Sequence, residues 1–99
     1  MKHHNYYVYI LLCSDGSYYT GVTNDLDRRF AEHVSGDDPN CYTFKRRPLV
    51  LKYYEYYRVI DDAILREKQI KRWSRAKKQA LVNEDGNKLT ELSRSYTKD

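Results

Sequence analysis

Apolar and polar positions along the chain change period several times, and each change marks an element. From Tyr6 to Leu12 the run Tyr-Tyr-Val-Tyr-Ile-Leu-Leu is apolar or aromatic on both alternating sides. That predicts a strand covered on both faces, and therefore central in its sheet. Asp15-Gly16 supplies a turn, and Ser17 to Val22 returns as a second strand of a hairpin. A helix follows, with Asn24 placed to cap it, Asp25 and Asp27 in its first turn, and Gly36 ending it after about Ser35. In it Leu26, Phe30 and Val34 recur at i, i+4 and i+8 as a buried stripe, with Arg29 and His33 along one border.

Residues 36 to 48, with Gly36, Pro39, Asn40 and Pro48, predict a loop, and Leu49 to Tyr57 a third strand. Asp61 or Asp62 is expected to cap a second helix through about Arg72, and Ser74 to start a third that ends near Asn83. From Glu84 onward, glycine, charge and Ser/Thr predict a loosely held tail. The expected architecture is α+β: a small antiparallel three-stranded sheet flanked by helices, in the order β-β-α-β-α-α. The expected division is a domain over residues 1–83 and a flexible tail over 84–99.

Composition narrows the picture in a few places. Ninety-nine residues leave room for one core and one site. No apolar run approaches the roughly 18 residues of a membrane span, and the start lacks a secretory cleavage pattern, so a cytoplasmic location is expected. Cys13 and Cys41 then read as two reduced thiols. The net charge of +4 is modest, but the cations cluster: Lys45, Arg46 and Arg47 in the loop, then Arg66, Lys68, Lys71, Arg72, Arg75, Lys77 and Lys78 at helical spacing. Such clusters suit phosphates, or else form a solvated helix face.

Some residues sit oddly for mere packing. At about 100° per residue, Glu67 falls within the arc of Ala63, Ile64 and Ile70, so a carboxylate faces inward. It needs a cation or a metal ion, and Lys71 at i+4 is the bland candidate. Arg29 reads equally as a snorkelling side chain, and His33 as a border histidine with a hydrogen-bonded ring. Eleven tyrosines against two phenylalanines is unusual, because tyrosine packs a ring while presenting a hydroxyl to a wet interface, a base or a proton.

Tyr7-Val8-Tyr9, Tyr19-Thr20-Gly21, Arg29 ten residues after Tyr19, His33, and then Arg66-Glu67-Lys68 together resemble the GIY-YIG endonuclease superfamily. The chain is most similar to its small single-domain bacterial members and to the N-terminal domain of the excision-repair nuclease, over roughly residues 6 to 82. Tyr7 stands where the name motif has its first glycine, and Thr20 where it has isoleucine.

The resemblance implies a metal-dependent endonuclease acting on DNA, with repair or recombination as its setting. In that reading Tyr9 is the general base, Tyr19 assists it, Arg29 clamps phosphate, Glu67 holds one Mg²⁺ or Mn²⁺, and His33 binds phosphate or shuttles a proton. Gly21 lets backbone pass close, and Lys45, Arg46, Arg47, Lys71 and Arg75 contact the DNA backbone. For Tyr9 to ionise near neutral pH, Arg29 must lower its pKa. The competing readings are a nucleic-acid-binding module without cleavage, and a catalytic subunit that depends on a protein partner for substrate recognition.

The hairpin offers an internal test. A two-residue turn at Asp15-Gly16 would pair Tyr19 with Leu12 and set the two tyrosines on opposite faces. A three-residue loop with Gly16 in the left-handed region brings both hydroxyls to one face, and shared chemistry predicts that geometry.

Overall fold

The computed structural model describes residues 4–83, so the expected tail over residues 84–99 lies outside the described residues. Strand β1 (Tyr6–Leu12) lies between β2 (Tyr18–Thr23) and β3 (Val50–Tyr57), antiparallel to both. Its central place follows from its composition: Val8, Tyr9, Ile10 and Leu11 are all buried, alternately toward the two sides. Helix α1 (Leu26–Ser35) follows β2, a single 3-10 turn (Phe44–Arg46) interrupts the loop, and α2 (Ile60–Lys71) and α3 (Arg75–Asn83) follow β3. No helix among the described residues is long and apolar enough to cross a membrane.

The sheet separates two cores. On one side Val8 and Ile10 pack with Ala63 and Ile70 of α2 and Leu81 and Val82 of α3. On the other, Tyr9 and Leu11 pack with Cys13, Leu49, Leu51 and, from α1, Leu26 and Phe30. Between Ile10 and Leu11 the β1–β3 register shifts, with Ile10 opposite Tyr53 and Leu11 opposite Leu51. Lys52 is the extra residue of this bulge, and the shift sends Leu51 and Tyr53 to opposite sides.

Three local expectations are corrected. Asp25, not Asn24, caps α1, its carboxylate accepting from the Arg28 amide at 3.1 Å, while Asn24 accepts from the Arg28 side chain. Neither Asp61 nor Asp62 caps α2; Val59 holds that position without a side-chain bond, and both acids lie in the first turn, where they favour the helix electrostatically. Val34 is exposed, and His33 is the buried residue of α1, so the helix is turned to face the sheet with Leu26, Arg29, Phe30 and His33. Gly36 closes α1 as expected, at φ 71° with its amide reaching the Glu32 and His33 carbonyls.

Arg66 also departs from expectation. Rather than joining the exposed basic cluster, its side chain is 7% exposed and paired with Glu55 of β3 at 2.9 Å. Tyr57 donates to the same carboxylate at 2.7 Å, Tyr53 donates as well, and Arg66 also reaches Gln69. Burial alone would push the Glu55 carboxyl up, but these donors outweigh it and hold its pKa below the ordinary value, while Tyr53 and Tyr57 are raised by burial and by the neighbouring carboxylate. The pair fixes α2 against β3, one residue from Glu67.

Breaking a buried pair from one side strands a charge, so Arg66→Met should cost about 3–5 kcal/mol in denaturant unfolding, with much of the loss recovered in Arg66→Met/Glu55→Leu. Because the folded Glu55 pKa is depressed, its contribution is present above the ordinary carboxyl range and is lost as pH falls through the folded value. Equal stability of the single variant and wild type at pH 7 would contradict the assignment.

Candidate active site

The hairpin turn sets the site. The Cys13 amide donates to the Ser17 carbonyl and the Gly16 amide to the Cys13 carbonyl, both at 2.9 Å, leaving Ser14, Asp15 and Gly16 as the loop. Gly16 sits at φ 85°, a conformation that other residues adopt at a cost. Beyond this loop Tyr19 pairs with Leu11 and Gly21 with Tyr9, so Tyr9, Leu11, Tyr19 and Gly21 share the α1 side. This is the parity that common chemistry for the two phenols requires. The Tyr9 and Tyr19 ring centroids are 6.3 Å apart.

Gly21 explains where Tyr9 points. A Cβ on Gly21 would collide with the Tyr9 hydroxyl and lie 2.5 Å from Cζ, so the ring leans across β2 over the bare glycine. There the Tyr9 hydroxyl meets Nε2 of His33 at 2.8 Å. Nδ1 of His33 lies 2.9 Å from the Thr43 hydroxyl, which in turn donates to the Cys41 sulfur. The bond from Thr43 to sulfur favours the tautomer in which Nδ1–H donates to Thr43 and the Nε2 lone pair accepts the Tyr9 proton. Sequence reasoning assigned Thr43 no role, although the resemblance ran through it; a buried hydroxyl beside a loop of polar residues was the available signal.

The electrostatics follow from burial. Tyr9 is 1% exposed and His33 3%. Burial lowers the His33 pKa to about 4, with Arg29 adding to the effect, so the imidazole is neutral at pH 7. Burial also raises the Tyr9 pKa well above 10, Tyr19 raises it further, and the Arg29 guanidinium offsets only part. Arg29 thus does not make Tyr9 a phenolate near neutral pH, contrary to expectation. It is a phenol donating to a neutral imidazole. Tyr19 is likewise raised, mainly by burial. Arg29 itself pairs with Glu32 at 3.1 Å, and a small cleft lined by Arg29, Glu32, His33, Asp38, Cys41 and Thr43 opens beside it.

Tyr42, also without an assigned role, stacks on Tyr19 at 6.0 Å and 18°. The Arg46 guanidinium lies over the Tyr42 ring, 3.7 Å from its centroid, and pairs with Asp15 at 3.1 Å. Arg46, Tyr42 and Tyr19 therefore tie the loop to the hairpin turn. Arg47 bonds the Phe44 and Val34 carbonyls, and Arg75 bonds the Gly16 carbonyl and Gln79. These three arginines hold backbone in place, whereas Lys45 is exposed.

Glu67 approaches from the opposite layer. Its side chain is 12% exposed and meets Lys71 at 2.7 Å, the i+4 pair that the sequence allowed. Lys71 is 50% exposed, and the helix that carries the pair packs against β2, the strand of Tyr19, as well as β1. Among the described residues no three His, Cys, Asp or Glu side chains are grouped to hold a metal. Glu67 therefore offers one carboxylate, which is paired with Lys71. That chemistry suits Mg²⁺ or Mn²⁺, which keep several waters and use phosphate oxygens as further ligands.

Gly21→Ala should force Tyr9 off the imidazole and cost about 1–3 kcal/mol by overpacking, measured by thermal or denaturant unfolding. A neutral Gly21→Ala would show that the ring does not depend on that gap.

The family described as the GIY-YIG catalytic domain matches residues 5–80. A UPF0213 protein of Bacillus pumilus is 43% identical over 84 residues, covering 85% of each chain. Another, from Halobacterium salinarum, is 47% identical over 76 residues, covering 77% of this chain and 97% of its own. The solution structure of the UPF0213 protein of Bacillus halodurans superimposes with a TM-score of 0.54 at 40% identity, over 91% of this chain and 95% of that one. A protein of E. faecalis, also solved by NMR, gives 0.52 at 37% identity, over 79% and 80%. The chain belongs to the GIY-YIG family of nuclease catalytic domains.

Proposed function

We propose that this chain is a metal-dependent endonuclease that hydrolyses DNA phosphodiester bonds, with Tyr9, Tyr19, Arg29, His33 and Glu67 as its catalytic set. The observation that carries the reading is the 2.8 Å hydrogen bond between the Tyr9 hydroxyl and Nε2 of buried His33. A phenol with a raised pKa is a poor base alone. With an acceptor 2.8 Å behind it, Tyr9 takes a proton from the attacking water as its own proton moves to Nε2.

The water oxygen forms the new bond to phosphorus, and the departing oxygen leaves with the bond electrons and is protonated by solvent. Arg29 offers a fixed fork of donors for the phosphoryl oxygens. The approaching phosphate also offsets the electrostatic cost that Arg29 imposes on a protonated His33. Tyr19, held by its stack on Tyr42, positions the water beside Tyr9. Both His33 nitrogens already have partners and the ring is buried, which favours proton transfer over phosphate binding for this residue.

Glu67 would hold Mg²⁺ or Mn²⁺ once Lys71, whose ammonium is half exposed, swings into solvent; the bound ion would stabilise charge on the phosphate and the leaving oxygen. Lys45, Arg46, Arg47, Lys71 and Arg75 supply positive charge along the DNA backbone, and a protein partner that delivers the substrate is compatible with so small a chain.

The second reading is a DNA-binding module, and the Glu67–Lys71 pair is the observation that favours it, since a locked carboxylate takes no ion. Cleavage of labelled single-stranded, duplex and branched DNA with Mg²⁺ or Mn²⁺, against a chelator control, separates the two. The expected result is metal-dependent nicking that falls by about 10²–10⁴ in Tyr9→Phe, and at least as far in Glu67→Ala, with DNA binding retained in both. Binding with no cleavage under any condition, or cleavage indifferent to both substitutions, would overturn the nuclease reading.

A further inference from the structure

The α1 side of the sheet is only half covered. Helix α1 lies against β1 and β2 through Leu26 and Phe30, and Tyr9 leans toward Gly21 of β2. At the Tyr7 end of β1 and the Tyr54–Tyr56 end of β3 the same side lies open among the described residues. Three tyrosines stand there: Tyr7 of β1 and Tyr54 and Tyr56 of β3, brought together by the pairs Tyr9↔Tyr54 and Tyr7↔Tyr56. Tyr54 is 56% exposed and Tyr56 49%. The Tyr7 ring lies 6.0 Å from Tyr54 and 5.6 Å from Tyr56, tilted by 72° and 56°. A bond from the Tyr56 hydroxyl to Asn5 at 2.7 Å steadies its ring.

Two exposed rings and a half-buried third, contiguous on one sheet face, form an apolar patch that suits an occupant of matching chemistry. Charge and position argue for one. β1 has no charged residue, and the one acid of β3, Glu55, points to the opposite side into Arg66. The cation of β3, Lys52, is exposed at the bulge. The patch borders buried Tyr9, which is two residues from Tyr7 on the same side and directly opposite Tyr54. Leu81 and Val82 at the end of α3 pack in the other core, so the described chain ends on the far layer.

We propose that Tyr7, Tyr54 and Tyr56 form a stacking platform for the unpaired bases of a DNA strand whose phosphate backbone passes Tyr9. The proposal rests on the nuclease reading for its placement beside the scissile phosphate. It deepens that reading by making unpaired nucleotides next to the cut the preferred substrate. Aromatic faces on an open sheet stack bases with little regard to sequence, and a base inside a duplex presents no such face. Tyr7 occupies the position of the first glycine of the family's name motif, so at that point the platform is built from a side chain where the motif has none.

Binding of a fluorescent oligothymidylate, of the same strand made abasic and of a duplex, measured by anisotropy in chelator, tests the platform apart from cleavage. Tyr54→Ala/Tyr56→Ala should weaken binding of the base-bearing strand about ten- to a hundredfold, with abasic and duplex binding and the melting temperature unchanged. Tyr54→Phe/Tyr56→Phe should bind as wild type does. Unchanged affinity for the base-bearing strand, or an equal loss on the abasic strand, would overturn the proposal. So would a self-association of wild type that the alanine pair abolishes, because a second copy would then be the occupant. If the expected binding pattern holds but wild type never cuts with Mg²⁺ or Mn²⁺, the platform stands and the nuclease reading falls. If wild type cuts while the alanine pair binds all three probes unchanged, the reverse follows.

Discussion

A hydrogen bond through the interior, from the Tyr9 hydroxyl to Nε2 of His33, is the constraint on which the other parts converge. It demands a register that brings Gly21 opposite Tyr9, which the loop at Ser14, Asp15 and Gly16 provides and which also sets Tyr19 on the same side. It demands a residue without a side chain at Gly21. It also demands that α1 turn its histidine inward at the expense of Val34, and that a loop threonine pair the other ring nitrogen so the imidazole is buried without an orphaned donor. Each element is ordinary alone. Together they place an acceptor behind a phenol in a site where burial has removed both from easy titration.

The basic residues divide by what they touch. Arg46, Arg47 and Arg75 use their planar forks on carbonyls, a carboxylate and aromatic rings, which shapes the loop and hairpin around the site. Arg66 is buried against Glu55, Gln69 and the Trp73 ring. Lys71 is different: it neutralises the one inward carboxylate of the site from a half-exposed position. A compact lysine on a flexible stem can leave that carboxylate at a modest cost, which a bidentate arginine could not.

How far the sequence reached is itself explained by range. The element order, the central place of β1 and the inward Glu67 depend on periodicity within a segment, and all were legible. The parity of Tyr9 and Tyr19 was legible because one glycine and one functional demand left a single loop length. The rotation of α1 was not, since hydropathy favours Val34 while the partners that make His33 a better interior residue, Tyr9 and Thr43, lie 24 and 10 residues away. Arg66 read as a surface cation for the same reason: its carboxylate is on β3. Asn24 and Asp25 are adjacent acceptors that local pattern cannot rank. The half-open sheet face was invisible as well, because exposure depends on where α1 ends up, not on the alternation of β3.

The protonation state of His33 tests the central claim most directly. Nitrogen-15 NMR of the imidazole across a pH titration should show a neutral ring at pH 7 with its proton on Nδ1, titrating near pH 4. In Tyr9→Phe the Nε2 shift should move toward that of an acceptor without a partner. A ring that titrates near 6.5 would contradict the effect of burial on the imidazole, and one that carries its neutral-pH proton on Nε2 would contradict the proton path, because Tyr9 would then have no base to receive its proton.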